Sequence, residues 1–379
     1  MSAAKGGEAP RPRRGLLGWL EDRVNLTEIF SFLTHFGLVF TPVDTRQPLR
    51  ETMEEIGRQP VPSYARGPRV LGLLAAILFG LEAVTGVLLA YYYRPTPEAA
   101  FESTRTIVRD LPFGWLLHQI HSWGAWLLIA VVVLRLLRLF WDGLYRAPRE
   151  LLWMTAVGMA WVALQGDFTG RLLTWDTRSY WSAVRGMEVV FALPVVGPTL
   201  AFLLGGRVVN DDVLIRFYVL HVIALPAFYA VLIYLTIATI RRVGLSPHPE
   251  GNEGGSSTYR DHLYTMMILV LIAFGVLVTL AVLVPFRFLS AADPYATPAG
   301  VRPPWYMLAP YAIQHIAPVP TWASGGVLVI VAFAVLLLPF LLRGRGPAST
   351  GGGRARLIGV ALLVVWIGLS LIGLGLDRR

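Results

Sequence analysis

Along this chain, long apolar stretches alternate with shorter polar ones. Stretches long enough to cross a hydrocarbon layer of about 30 Å recur near 70–92, 115–139, 150–169, 216–240, 263–285, 322–343 and 356–374. Lipid offers a backbone no hydrogen-bond partners, so each stretch predicts a helix that satisfies its own N–H and C=O groups. The expected fold is an all-α integral membrane protein with about seven transmembrane helices. Segment 246–261, SPHPEGNEGGSSTYRD, is rich in Gly, Ser and Pro and reads as a linker. It separates a four-helix bundle over 67–245 from a three-helix unit over 262–379. Residues 1–66 form an N-terminal segment. Within it, 15–40 places Trp19, Leu20 and Phe30 on an apolar side, as in one or two amphipathic helices on the membrane surface, and 41–66 covers the cytoplasmic face. Loop 178–206 is moderately apolar but contains Pro194 and Pro198, which predicts a helical hairpin lying on the outer surface rather than a span.

Composition strengthens this picture: 55% of the 379 residues are hydrophobic and 15% are charged, against about a quarter charged in ordinary soluble domains. The net charge of +9 does not indicate nucleic-acid binding, because the basic residues gather beside helix ends. Arg11, Arg13, Arg14, Arg66 and Arg69 precede the first span, Arg135, Arg138, Arg146 and Arg149 gather at the end of the second, and Arg241, Arg242 and 343–356 flank later ones. The positive-inside rule puts these regions and the N-terminus on the cytoplasmic side, with 93–114, 170–215 and 286–321 facing outward. The first 20 residues are polar, basic and Pro-rich, so the first span is expected to serve as the insertion signal.

There is no cysteine, so any redox centre must be held by histidine. His118, His121, His221 and His315 lie in or beside apolar segments, and His121 and His221 sit at similar depth on the second and fourth spans. Two such imidazoles can clamp a flat iron macrocycle in a bundle core. Each can equally be a core histidine hydrogen-bonded to a neighbouring helix.

The surrounding motifs bear on that choice. RPTPEAAFESTRTI (94–107), FGWLLHQIHSW (113–123), RAPRELLW (146–153) and RFYVLHVIALP (216–226) occur in this order. Together they resemble cytochrome b, in the short four-helix form of photosynthetic complexes. ADPYATP (292–298) and PPWYMLAPYAIQHIAP (303–318) resemble that family's three-helix partner subunit, here fused to the first block. The resemblance implies a haem-binding bundle in which the second and fourth helices each supply one histidine to each of two stacked b-type haems. His121 and His221 match the outer-side pair, with Gly86, His118 and Ser122 as further cofactor-binding candidates.

The inner pair should follow 14 residues after His121 and 15 after His221, about 21 Å along the helix axes. Arg135 and Thr236 stand there, and neither is an ordinary iron ligand. The family's glycine near that haem on the third helix is Ala156, although Gly72 remains on the first. The inner haem is therefore expected to be absent. Arg135 has two readings: a side chain snorkelling to water near Arg138, or a functional group in the vacated cavity.

Two further departures matter. The family's Pro-Glu-Trp-Tyr motif, whose carboxylate takes a proton from quinol, is Pro303-Pro304-Trp305-Tyr306 here. Trp305 and Tyr306 remain candidates for a quinone pocket, or for plain interfacial aromatics. The arginine three residues before the outer ligand, which helps hold a haem propionate, is His118, and the basic residue after the ligand is Ser122. His118 either donates to a propionate or competes with His121 as ligand.

The expected function is a mono-haem cytochrome b-like electron-transfer subunit carrying one haem b on the outer side. It would sit among lipids in a bacterial-type or organellar energy-transducing membrane. There it would pass electrons between the quinone pool and a Rieske-type protein, a c-type cytochrome or another oxidoreductase subunit, without a full quinone cycle. The family also implies a homodimer. The rival is a structural anchor that keeps the fold without redox chemistry. A transporter lacks an intramembrane acidic pair, and Glu82, the carboxylate in mid-span, reads as packing or an interhelical hydrogen bond.

Overall fold

The structure, a computed structural model, describes residues 48–58, 60–62, 70–243, 256–316, 320–342 and 352–376. The surface helices expected over 15–40, the basic residues Arg11 to Arg14, Arg66 and Arg69, and linker residues 246–255 lie outside the described residues. A short helix α1 (Leu49–Arg58) and strand β1 (Pro60–Pro62) precede α2 (Leu71–Ala90), α3 (Pro97–Arg109), α4 (Gly114–Trp141), α5 (Glu150–Leu173), α6 (Thr177–Phe191) and α7 (Val196–Leu204). Next, α8 (Asp211–Val219) runs through a π-helical turn (Leu220–Ala224) into α9 (Leu225–Val243). Strand β2 (Ser256–Thr258) leads into α10 (Tyr259–Leu283), followed by α11 (Leu308–Ile316), α12 (Thr321–Leu336), α13 (Leu338–Leu341) and α14 (Gly352–Gly375).

Five of the seven predicted spans are helices long and apolar enough to cross a membrane: Leu71–Ala90, Gly114–Trp141, Asp211–Ile240, Tyr259–Leu283 and Ala355–Gly375. The other two differ for local reasons. Helix α5 carries Glu150, Asp167 and Arg171 among its apolar residues. The sixth span breaks between α12 and α13, because Pro339 has no N–H to offer the Val335 carbonyl. That carbonyl accepts a hydrogen bond from Trp153 Nε1 instead, at 2.7 Å.

Sequence chemistry sets several ends. Asn210 caps α8 by accepting from the Val213 N–H, and Asp211 and Asp212 follow in the first turn, where a helix dipole favours acidic groups. Thr258 and Asp261 form a reciprocal capping box that starts α10. The last six residues of the 246–261 segment are thus β2 and the first turn of α10, and β2 pairs antiparallel with β1. The loop at 178–206 does form two helices, α6 and α7, joined through Pro194 and a Val195 in a positive-φ conformation (φ 63°).

In the bundle, α2, α4, α5 and α9 surround one core of Ala75, Leu78, Leu128, Val132, Met159, Ala163, Tyr229 and Leu232. A second core joins α6, α7 and α8 across one end of the bundle through Tyr180, Met187, Ala201, Val213 and Phe217. The C-terminal unit is docked by polar bonds to the bundle. Gln119 donates to Phe286 O (2.9 Å) and accepts from Phe286 N (2.8 Å), and Trp123 Nε1 donates to Val284 O (2.9 Å). Arg356 Nε on α14 donates to Trp141 O at 3.0 Å.

Candidate functional site

The two histidines singled out in the sequence meet inside the bundle. His121 on α4 and His221 in the π-helical turn have ring centroids 6.1 Å apart and planes crossed at 86°. The turn has a local cause: Pro226 cannot donate to the Val222 carbonyl, and the helix widens so that Leu225 N–H reaches Leu220 O.

Hydrogen bonds behind the rings fix which nitrogens face each other's site. His121 Nδ1 lies 2.9 Å from Thr85 Oγ1, whose hydroxyl donates to Leu81 O at 2.8 Å. His221 Nδ1 lies 3.2 Å from Thr169 Oγ1, whose hydroxyl donates to Gln165 O at 2.7 Å. Each threonine has already used its only proton, so toward the imidazole it accepts. Both rings therefore carry the proton on Nδ1 and leave Nε2 with a bare lone pair, the form that ligates a metal. An iron about 2 Å from each of two imidazole nitrogens, with the ring radii added, sets the centroids about 6 Å apart. The observed separation fits that group.

Two glycines let the rings sit where they do. A Cβ on Gly86 would come within 3.2 Å of His121 Cε1, and one on Gly170 within 2.6 Å of His221 Cε1. The expectation of Gly86 at the site thus has a geometric counterpart. Gly170, Thr85 and Thr169 were not read from the sequence. Their signal was available: Thr-Gly occurs at 85–86 on the first span and again at 169–170 on the third, and Gly170 lies 14 residues after Ala156.

His118 does not compete with His121 for the partner ring. It is buried one turn earlier against Phe288 (centroids 5.0 Å), and its Nδ1 has no hydrogen-bond partner among the described residues. Such an atom, free in a buried site beside the ligand, suits a donor to an acidic group of a bound cofactor. Ser122 instead turns onto its own helix, donating to His118 O at 2.9 Å.

Four turns farther along the bundle, Arg135 and Thr236 converge on α5. Arg135 Nη1 donates to Met159 Sδ at 3.2 Å, while Thr236 Oγ1 donates to Thr155 Oγ1 at 3.0 Å and lies 3.8 Å from Met159 Sδ. Arg135 is 4% exposed, so it turns inward rather than snorkelling to water. Its Nε lies 3.4 Å from where a Cβ on Gly72 would be, and Tyr229, stacked on Phe79 at 4.4 Å, fills the core beside these residues.

Trp305 and Tyr306 sit at the histidine end, in a short 3-10 turn ahead of α11. Trp305 is half-exposed and packs 6.1 Å from Trp126, whose indole N–H is buried without a partner among the described residues. The Tyr306 hydroxyl donates to Asp167 Oδ2 at 3.2 Å. Burial, reinforced by that carboxylate, holds the Tyr306 phenol well above its ordinary range and keeps it a protonated donor. Asp167 is also clamped by Arg171 Nε and Nη2 at 2.8 and 2.9 Å, and Arg171 lies over the Trp126 ring. Sequence reading missed this Asp167–Arg171–Tyr306 group. Where the family motif has its glutamate this chain has Pro304, yet a buried carboxylate from the third span touches the motif's tyrosine.

Comparison with known proteins agrees with this architecture. Residues 58–244 match the family described as Cytochrome b/b6/petB, and residues 291–376 match Cytochrome b(C-terminal)/b6/petD. The chain is 40% identical over 195 residues to the cytochrome b6 of Heliomicrobium gestii, covering 51% of this chain and 92% of that protein. It is 34% identical over 326 residues to the cytochrome b of Allochromatium vinosum, covering 79% of this chain and 78% of that one. Among solved structures, a chain of a hyperthermophilic respiratory Complex III superposes with a TM-score of 0.68 at 24% identity, covering 94% of this chain and 98% of that one. The ordered motifs, the helical architecture and these matches agree: the chain is an integral membrane protein of the cytochrome b/b6 family, with the N-terminal and C-terminal family regions joined in one polypeptide.

Proposed function

We propose that this chain is the cytochrome b subunit of a bc-type electron-transfer complex and that it holds one haem b, between His121 and His221. The observation that carries this reading is the pair of threonine-held imidazoles, each with a bare Nε2 and a glycine beside the ring, at the spacing an iron requires. When bound, such a group accepts and releases one electron at a time. The residues of this chain supply the rest. His121 and His221 ligate, Thr85 and Thr169 hold the rings, Gly86 and Gly170 make room, and His118 offers a donor to a propionate.

The inner haem position is proposed to carry none. Supporting this, Arg135, Thr155, Met159 and Thr236 contact one another there, and none is an ordinary haem ligand. With a single centre near the outer face, electrons have no metal relay across a layer of about 30 Å, so the chain does not run a bifurcating quinone cycle. It exchanges electrons between quinone and an outer Rieske-type protein, c-type cytochrome or other oxidoreductase subunit, in a dimeric complex of an energy-transducing membrane. Trp305 and Tyr306, with Trp126 packed beside Trp305, are the aromatic side chains proposed to contact quinone.

A pyridine haemochrome assay with a reduced-minus-oxidised spectrum tests the proposal. One haem b per chain, lost in His121→Ala and in His221→Ala, is the expected result. Two haems per chain would overturn the mono-haem reading. No haem at all, with the complex still assembled, would establish the structural-anchor alternative, which the replaced propionate arginine and Pro304 favour.

A further inference from the structure

We infer that Asp167, acting through the Tyr306 hydroxyl, takes a proton from a bound quinol and returns one to a bound quinone. The inference deepens the quinone exchange proposed above and rests on it. Asp167 lies on α5 with its side chain 4% exposed, and a carboxylate is costly to keep inside an apolar span. Arg171, one turn later and 30% exposed, clamps it through Nε and Nη2 at 2.8 and 2.9 Å. An ion pair within one helix accounts for those two contacts. It does not account for the third, in which Tyr306 brings a hydroxyl from the C-terminal unit to Asp167 Oδ2 at 3.2 Å.

That hydroxyl has one proton and two acceptors in reach, Asp167 Oδ2 at 3.2 Å and Leu164 O at 3.3 Å. The carboxylate is the stronger acceptor and draws the proton. No donor reaches the Tyr306 oxygen among the described residues, so its lone pairs are left to accept. Trp126, whose ring lies under Arg171, has the opposite deficit: its indole N–H is buried with no acceptor among the described residues. Trp305, 44% exposed, packs against both, with ring centroids 5.5 Å from Tyr306 and 6.1 Å from Trp126. An unused acceptor and an unused donor among aromatic rings are the complement of a quinol hydroxyl, which donates one hydrogen bond and accepts another.

Burial beside a carboxylate keeps Tyr306 protonated, so it relays a proton and does not store one. As one electron leaves the quinol for the haem or for the metal centre of an outer partner, the quinol O–H bond breaks. Its proton bonds to the Tyr306 oxygen while the Tyr306 proton passes to Asp167 Oδ2. The carboxylate ends as the neutral acid, and reduction of quinone runs the same transfers backwards. The charged and titratable groups that face Asp167 are Arg171 on its own helix, Tyr306 in the 3-10 turn and, at longer range, His221 in the π-helical turn, while Asp176 acts on Arg171.

Stopped-flow measurement of haem reduction by duroquinol and haem reoxidation by duroquinone, in the purified full-length protein, tests this on Asp167→Asn, Asp167→Glu and Tyr306→Phe. Positioned proton transfer contributes about 10²–10⁴-fold to a rate, so both rates are expected to fall at least tenfold in Asp167→Asn and in Tyr306→Phe, with haem content as in the parent. Asp167→Glu, which keeps the carboxylate, is expected to restore much of the loss. In the parent, oxidation of duroquinol slows toward acid pH as the accepting group fills with a proton, and Asp167→Asn is expected to lose that acid limb. Tyr306→Phe leaves the Asp167–Arg171 pair intact and decides the matter if Asp167→Asn fails to assemble. Unchanged rates with haem retained, or an acid limb that survives in Asp167→Asn, would overturn the role of Asp167 and leave the quinone site standing. An unsubstituted protein whose haem reacts with neither duroquinol nor duroquinone would overturn the quinone reading itself, and this inference with it.

Discussion

At the scale of single residues, the site is a matter of tenths of an ångström around two rings. A methyl added at Gly170 would press on His221 Cε1 at 2.6 Å, closer than carbon atoms can approach, whereas at Gly86 the gap to His121 Cε1 is 3.2 Å and a small shift suffices. Gly170→Ala is therefore expected to lose most of the haem, while Gly86→Ala keeps most of it with an altered spectrum. Haem content per chain, measured on both variants side by side, checks the order, and equal retention would contradict the geometry. The facing pair His121 and His221 was legible in the sequence because histidine is rare in apolar spans and these two share a depth. Gly86 was read with them, but Thr85, Thr169 and Gly170 were not, since Thr and Gly are ordinary in membrane helices and two-residue repeats carry little information on their own. Asp167 and Arg171 were hidden for another reason. At i and i+4 they read as a common helix-surface ion pair, and the contact that gives the pair meaning, Tyr306, is 139 residues away in the chain.

At the scale of helices, the question is how much one polar side chain costs the packing between them. Arg135 is buried between α4 and α5 with a thioether as acceptor, and no carboxylate pairs with it among the described residues. A charge taken out of water without an ionic partner destabilises. Replacing it with Met keeps the length of the side chain and removes the charge. Arg135→Met is thus expected to stabilise the detergent-solubilised protein by about 1–3 kcal/mol, seen as a higher unfolding temperature, without changing haem content. A fall in stability would show that Arg135 has an anionic partner that holds it. The opposite sign is expected at α5's other end. Asp167 accepts from Arg171 and Tyr306 together, and Asp167→Asn strands a guanidinium that is only 30% exposed. With partial solvent access discounted, the cost is about 1–3 kcal/mol, while Tyr306→Phe, losing one hydrogen bond, costs about 1 kcal/mol. Thermal unfolding of the two variants distinguishes them. The spanning helices were readable from apolar length, whereas the short helices α1, α3 and α11, which lie outside the long apolar stretches, were not. The π-turn at His221 and the break before Pro339 were signalled only by prolines, which mark a disturbance without saying which carbonyl is released or what takes it.

At the scale of the whole molecule, two family regions share one chain, and what joins them bears on whether the covalent link is needed. The contacts across the junction are specific. Gln119 exchanges two hydrogen bonds with the Phe286 backbone, Trp123 and Trp153 donate to the Val284 and Val335 carbonyls, and Arg356 reaches Trp141 O. Shape adds to them, since a Cβ on Gly359 would come within 2.5 Å of the Phe140 ring, so α14 packs closely on α4. In lipid, helix association depends on such close packing and interhelical hydrogen bonds rather than on the hydrophobic effect. Each junction bond is made to a backbone carbonyl or amide in or beside a span, where fewer competing partners are at hand than in water. The linker then contributes mainly an effective concentration, which co-insertion into one membrane also supplies in part. Two polypeptides divided between Val243 and Ser256 and produced together are therefore expected to co-purify as one complex with the haem content of the intact chain. Gln119→Ala in the divided protein, which leaves the Phe286 N–H and C=O without their partner, is expected to weaken that association by about 1–3 kcal/mol, and in the fused chain only to lower the unfolding temperature. Failure of the unsubstituted halves to associate would mean that the tether, and not the Gln119–Phe286 seam, holds the two regions together.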